Sequence, residues 1–264
     1  VKTLVLLTAM MLALPQAVLA AEAVPKPKLR PEIEAASPLP VPRPKPRPSP
    51  AAPEGEVTPP QADVEPGWST DQVAEALGAC GILLMGLDIA YEPLDPIGRP
   101  SGCGAPAPVL VSAVAGVALT PPATLTCDMA AELHDWVSGT VKPAARKSLK
   151  TEVTAINTAT SYACRRRNNS SGGKLSEHGR ANALDMSGFR FANEGKGVAV
   201  GGSNWGQGIL AALGVSRDDS FLSAIRQGAC KHFTTVLGPG SDPYHGDHFH
   251  VDVLRRKNDY RICK

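Results

Sequence analysis

Across residues 67–264 the spacing of apolar positions changes several times, and each spacing predicts an element. Over residues 71–85, Val73, Leu77 and Ile82 recur on one side of a helix that Ser69 or Thr70 would cap. A Pro/Gly-rich stretch follows through Pro108. Residues 109–119 are then apolar and β-branched, which predicts a strand. Asp128 is the expected N-cap of a helix reaching about Ser138, with Ala130, Leu133 and Trp136 as its buried stripe. A second helix is expected over residues 143–159, with Pro143 tolerated in its first turn, then a short strand over residues 160–164.

The second half alternates more sharply. Residues 165–174 are polar and rich in Gly, Asn and Ser, the composition of a loop or hairpin tip. Residues 183–191 predict a strand with Leu184, Met186 and Phe189 as apolar positions. A glycine-rich loop is expected over residues 195–202 and a short helix over residues 204–213. Phe221, Leu222 and Ile225 mark the apolar face of a helix over residues 219–232, and residues 249–254 form a last strand. Helices thus dominate before the centre and strands cluster around the polar motifs after it. The expectation is an α+β fold: a small antiparallel sheet flanked by helices, with the chemistry on the sheet.

Residues 1–66 do not share these periods. Residues 1–20 read as a secretory signal peptide: Lys2 opens it, an apolar stretch follows, and Val18-Leu19-Ala20 supplies small residues for cleavage. The stretch is shorter than the roughly 20 residues a bilayer requires and is interrupted by Pro15, so no transmembrane segment is expected in the mature chain. In residues 21–66, fourteen of 46 positions are Pro, interleaved with Lys and Arg. Pro removes backbone donors and fixes φ, so this arm is expected to remain a disordered linker sampling polyproline II. Its alternating positive charge would suit electrostatic contact with an anionic wall.

Residues 67–264 are long enough for one domain with a real core. They hold all six cysteines, and an even count behind an export signal predicts three disulfides in a periplasmic or otherwise exported protein. Six cysteines allow 15 pairings, and spacing does not choose among them. The net charge is only +2 with Lys and Arg dispersed, which argues against a nucleic-acid partner.

Candidate chemistry is concentrated in two segments, residues 176–185 and 245–252, which hold four of the six histidines. Alternation along a strand turns His248 and His250 to one face, with Phe249 and Val251 on the other. His178 ends a loop and Asp185 lies on the next strand, with small residues between that let both side chains reach one point. A catalytic zinc ion takes three N/O protein ligands and leaves one position open, a count met by His178, Asp185 and one of the paired histidines.

These residues carry a resemblance. The pattern Ser-x-His-x6-Asp followed downstream by His-x-His is matched by Ser176, His178, Asp185, His248 and His250. Together with residues 125–127, 161–165 and 235–239, it resembles the bacterial extensin-like C-terminal family. That family is grouped with the LAS (lysostaphin, D-Ala-D-Ala peptidase, hedgehog) zinc peptidases, which include murein endopeptidases. The resemblance implies a LAS/hedgehog-like fold, one zinc ion per chain held by His178, Asp185 and His250, and hydrolysis of peptide bonds in peptidoglycan. A zinc-bearing wall-binding module without turnover is the alternative.

In the murein endopeptidase branch a further histidine stands three residues before the base position, where this chain has His245. The general base is open between His248 and Asp247; strand alternation turns Asp247 away from His250 and favours His248. Arg165 is either a group that polarises the carbonyl or holds substrate, or one member of a solvated Arg165-Arg166-Arg167 run. Asp252 is either a partner that orients an imidazole or a surface carboxylate at a strand end. One departure from the family pattern is Ala181, where Gly is usual; that substitution costs stability if φ is positive.

Overall fold

The computed structural model describes residues 67–192, 197–201 and 216–264. The expected signal peptide, the Pro-rich arm and its wall contact, and the short helix over residues 204–213 lie outside them.

A nine-stranded sheet organises the domain, built from β1 (Ile89–Pro93), β4 (Val109–Val114), β5 (Val117–Leu125), β6 (Val153–Thr160), β7 (Ala183–Phe191), β8 (Gly197–Ala199), β9 (Thr235–Leu237), β10 (Phe249–Asp252) and β11 (Ile262–Cys263). Their order is β1-β4-β5-β6-β7-β10-β9-β11, with β8 paired to β7. β2 (Ile97–Gly98) and β3 (Gly104–Ala105) form a separate two-stranded ribbon. All pairs in the large sheet are antiparallel except β5–β6 and β9–β11. The fold is therefore α+β and mostly antiparallel, as expected. The sheet is larger than expected, and three of its nine strands precede the centre of the chain.

The differences have local causes. The expected single strand over residues 109–119 is a hairpin, because Ala115 and Gly116 both take positive φ (50° and 74°) and reverse the chain between β4 and β5. The helix expected over residues 143–159 stops at Leu149, where Lys150 turns left-handed at φ 58°. Beyond it Val153, Thr154, Ile156, Thr158 and Thr160 form β6 instead, their branched side chains fitting a pleated strand better than a helix. No strand forms over residues 160–164 beyond the end of β6, and part of the expected glycine-rich loop is β8.

Helix α1 (Thr70–Leu84) is capped by Ser69, whose hydroxyl accepts from Gln72 N while the Gln72 side chain accepts from Ser69 N. Its expected apolar face is not the buried one: Cys80 and Leu84 are buried, whereas Leu77 is 48% and Ile82 74% exposed. A disulfide from Cys80 to Cys127 sets that orientation, drawing the Cys80 side of the helix inward. Helix α2 (Cys127–Trp136) is capped by Thr126 rather than Asp128, which sits in the first turn. It continues through π-helical turns (Val137–Val141 and Ala145–Leu149) on either side of α3 (Lys142–Ala144), where Pro143 contributes no N–H.

The expected stripe of Ala130, Leu133 and Trp136 is fully buried. So are Phe221, Leu222 and Ile225 of α4 (Arg217–His232). Trp136 is the hub: its indole N–H donates to Ile225 O, and its ring meets Phe189, Phe233 and Phe249 at centroid distances of 6.4, 5.8 and 5.8 Å. This core lies under one face of β7 and β10 and leaves their other face for polar groups. Two further disulfides join Cys103 to Cys164 and Cys230 to Cys263. Three disulfides agree with an exported chain. No helix among the described residues is long and apolar enough to cross a membrane.

Candidate metal centre

In the antiparallel β7–β10 pair, Asp185 stands directly opposite His250, with Leu184 opposite Val251 and Met186 opposite Phe249. Leu184, Met186, Phe249 and Val251 are fully buried in the core. Directly opposite residues share a face, so the register that buries these four side chains also sets Asp185 beside His250 on the other side.

His178 arrives from a 3-10 turn, Glu177–Arg180, whose cap Ser176 accepts from His178 N. Ala181 closes the turn at φ 56°, ψ 21°, its N–H returning to the carbonyls of Glu177 and His178. The departure at Ala181 thus falls on a left-handed residue, where a Cβ costs about 1 kcal/mol relative to Gly. Glu177, buried beneath the turn, accepts from Arg180 (3.2 Å) and Asn182 (3.3 Å) and braces it.

The result is a cluster of His178, Asp185 and His250, all buried, with one ligand atom from each within 4.8 Å of the others. His178 Nε2 lies 3.1 Å from Asp185 Oδ2, His250 Nδ1 lies 2.8 Å from Asp185 Oδ1, and the two nitrogens are 3.2 Å apart. The far side of each ring is fixed. His178 Nδ1 donates to Ser161 O at 2.7 Å, and His250 Nε2 donates to Asp252 Oδ2 at 3.3 Å. Since a carbonyl and a carboxylate only accept, the hydrogens sit on those outer nitrogens, and in the neutral rings both lone pairs face Asp185.

Three acceptors aimed at one point need a cation or a shared proton between them. Without a metal, protons bridge them. Burial disfavours charge on His250, but its bonds to Asp185 and Asp252 outweigh burial and raise its pKa to about 9. Burial also opposes charge on Asp185, yet the bonds from His178 and His250 hold its carboxyl well below the usual carboxylate range. Asp252 is depressed in the same way, its burial outweighed chiefly by His250. The donor set, two imidazole nitrogens and one carboxylate, fits a zinc ion with an open position.

The triad lines a cavity of about 790 Å³ that also gathers Arg165, Tyr244, His245 and His248. His248 precedes β10. Its Nδ1 donates to Asp247 Oδ1 at 2.9 Å, so its Nε2 is the nitrogen that faces Asp185 Oδ1, 3.7 Å away. The Asp247 side chain is 91% exposed. Asp247 therefore orients His248 from the solvent side, and of the two base candidates the imidazole faces the triad. His245 Nδ1 donates to Asp242 Oδ1 at 2.7 Å, and its ring centroid lies 5.1 Å from that of His248 and 5.6 Å from that of His250. Burial lowers the pKa of His245 below its ordinary value against the opposing pull of Asp242.

The arginine run divides. Arg165 points inward, its Nη2 3.9 Å from Asp185 Oδ2. Arg166 instead donates to Gly173 O, and Arg167 lies 3.9 Å from Glu177. Arg165 is held beside the triad because Ser176 N donates to Arg165 O and Ala163 N donates to His178 O. The Cys103–Cys164 disulfide adjoins this clamp. Gly179 is packed so closely that an added Cβ would lie 3.0 Å from Leu175 and 3.1 Å from Cys103 Sγ.

Three further residues hold the site without a role assigned from the sequence. Ser161 acts through a backbone carbonyl, which no residue pattern announces. Glu177 stood inside the first motif without a role. Asp242 stands three residues before His245, a spacing that would have flagged it. No curated protein and no solved structure matches this chain. A family model described as "Extensin-like protein C-terminus" matches residues 78–264, the span that carries every group of the site, and the chain belongs to that family.

Proposed function

We propose that this chain is an exported zinc peptidase that hydrolyses peptide bonds of bacterial peptidoglycan, in the cross-link or the stem peptide, with a domain related to the LAS peptidases. One observation carries the reading: three buried acceptor atoms, two of them on rings whose far nitrogens are already committed, converge on one point in an open cavity. A buried acceptor cluster left without a cation or a bridging proton is costly, and a divalent ion held by His178, Asp185 and His250 would take the place of that proton. When bound there, zinc supplies Lewis acidity that polarises a carbonyl and acidifies water.

The chain's own residues supply the rest. His248 presents a bare Nε2 to the triad and accepts a proton from the attacking water, then passes it to the leaving amine. Asp247 keeps the other hydrogen of that ring in place. Arg165 carries fixed positive charge at the cavity wall, suited to holding an oxyanion or a substrate carboxylate. Asp252 and Ser161 O hold the ligand rings in register. The export signal and the basic Pro-rich arm fit delivery to, and contact with, an anionic wall.

The test is mass spectrometry of fragments released from whole peptidoglycan sacculi by the zinc-loaded mature chain. Appearance of new peptide termini supports the peptidase and identifies the bond. Stoichiometric zinc and tight wall binding without any released fragment would replace it with the non-hydrolytic binding module.

A further inference from the structure

The segment between β9 and β10 carries a second carboxylate–imidazole pair that the proton-transfer role of His248 does not use. Asp242 Oδ1 accepts from two donors, His245 Nδ1 at 2.7 Å and the backbone N–H of Tyr244 at 2.8 Å. The backbone N–H of His245 also approaches Asp242 O, at 3.5 Å. One carboxylate thus ties the turn and the ring together. The His245 side chain is only 12% exposed, and its ring is wedged against those of His248 and His250. A carboxylate accepts and never donates, so the His245 hydrogen stays on Nδ1. Its lone pair is then on Nε2, across the ring from Asp242.

We propose that Asp242 is a positioning residue: it fixes the tautomer and orientation of His245, so that a second imidazole Nε2 joins that of His248 as an acceptor lining the cavity. Resting on the peptidase reading above, the function of that acceptor is to take a hydrogen bond from the attacking water, aligning it while His248 removes the other proton. His248 has its own aspartate, Asp247, so the two rings are set independently by two local carboxylates. That independence makes the role of Asp242 separable from the rest of the site.

The experiment is a long-range 1H–15N correlation of the histidine rings in the mature chain, with and without zinc, in wild type and in Asp242→Asn, Asp242→Ala and Asp242→Ser. In wild type His245 is expected with Nδ1 protonated. Asn keeps an accepting oxygen and should keep that tautomer. Ala and Ser should both lose it, although the Ser hydroxyl can still accept from Tyr244 N–H and preserve the turn. Ser therefore decides the matter even if Ala does not fold. On sacculi, Ala and Ser should lose about tenfold or more in kcat with KM little changed and zinc stoichiometry intact, while Asn stays close to wild type. An unchanged His245 tautomer in Ala and Ser would overturn the proposal, as would kcat losses equal in all three variants. If wild type releases nothing from sacculi, the peptidase reading fails, while the ring signals still decide whether Asp242 sets His245.

Discussion

The inner triad and the rim of the cavity are built from the same residue types by different means. His178, Asp185 and His250 are buried, and two of the three are placed by strand pairing: the register that buries Leu184, Met186, Phe249 and Val251 leaves Asp185 and His250 facing each other. Arg165, His245 and His248 stand outside strands and are more exposed. Each of the two rim histidines is held by one local carboxylate, Asp242 or Asp247. A sheet register cannot shift without turning a whole row of side chains over, whereas a turn can be adjusted one residue at a time. The triad is therefore the rigid part of the site and the rim the adjustable part. On the proposed reading, metal affinity belongs to the first and turnover to the second.

The sharpest way to break that division is Asp185→Asn. The change keeps shape but removes the one anionic ligand and one of the two carboxylate charges that hold His250 protonated. Zinc affinity should fall by about 100-fold or more, read by competition with a chromophoric chelator. Zinc retained at wild-type affinity would mean the ion sits elsewhere. Next in size is His248→Ala, expected to keep stoichiometric zinc while losing about 100- to 10,000-fold in turnover on sacculi. Loss of zinc in that variant would move His248 into the metal's ligand set and erase the distinction between triad and rim.

The pH dependence follows from the same proton. In the metal-free fold the His250 pKa is raised from 6.5 to about 9. Its contribution to stability is fully present below about 6.5 and is lost as pH rises through about 9. Asp185 and Asp252 are depressed, so their contributions are present above their ordinary value near 3.8 and fade as pH falls below it. The melting temperature of metal-free protein should therefore decline on the alkaline side. Zinc displaces the His250 proton, so its affinity should rise by about tenfold per pH unit up to about pH 9, with about one proton released per ion at neutral pH. Calorimetry in buffers of different ionisation enthalpy counts that proton. No release would remove His250 from the ligand set.

The same division governs what could be read from the amino acids alone. β7 and β10 were legible because alternation holds where the two strands pair: Leu184 and Met186 against Asp185, Phe249 and Val251 against His250. The apolar stripes of α2 and α4 were legible for the same reason. The hairpin at Ala115 and Gly116 was hidden by apolar residues on both sides of a two-residue turn, so no polar break marked it. Over residues 153–160 the two alanines suit a helix and the branched residues a strand, and pairing with both β5 and β7 completes the strand. In α1 the periodicity was real but a disulfide overrode it. The carbonyl of Ser161 reaches the His178 ring only because two loops meet, whereas Asp242 holds the His245 ring within one turn, at a spacing of three.

The smallest expected effect lies at the junction of the two parts, where Ala181 ends the turn that delivers His178. Its φ of 56° favours Gly, which should recover about 1 kcal/mol of backbone strain. Its methyl group is fully buried, and removing it costs a similar amount, about 0.8 kcal/mol. The two nearly cancel, so Ala181→Gly should leave the melting temperature within a few degrees of wild type. Zinc affinity is the more telling measurement. His178 is held on its far side by Ser161 O and its turn is braced by Glu177, neither of which the substitution touches. Affinity should therefore stay within about threefold, far below the effect of losing a partner that orients a ligand. A tenfold loss would mean that the conformation of this turn, and not the β7–β10 register with its outer hydrogen bonds, limits how well the triad is assembled.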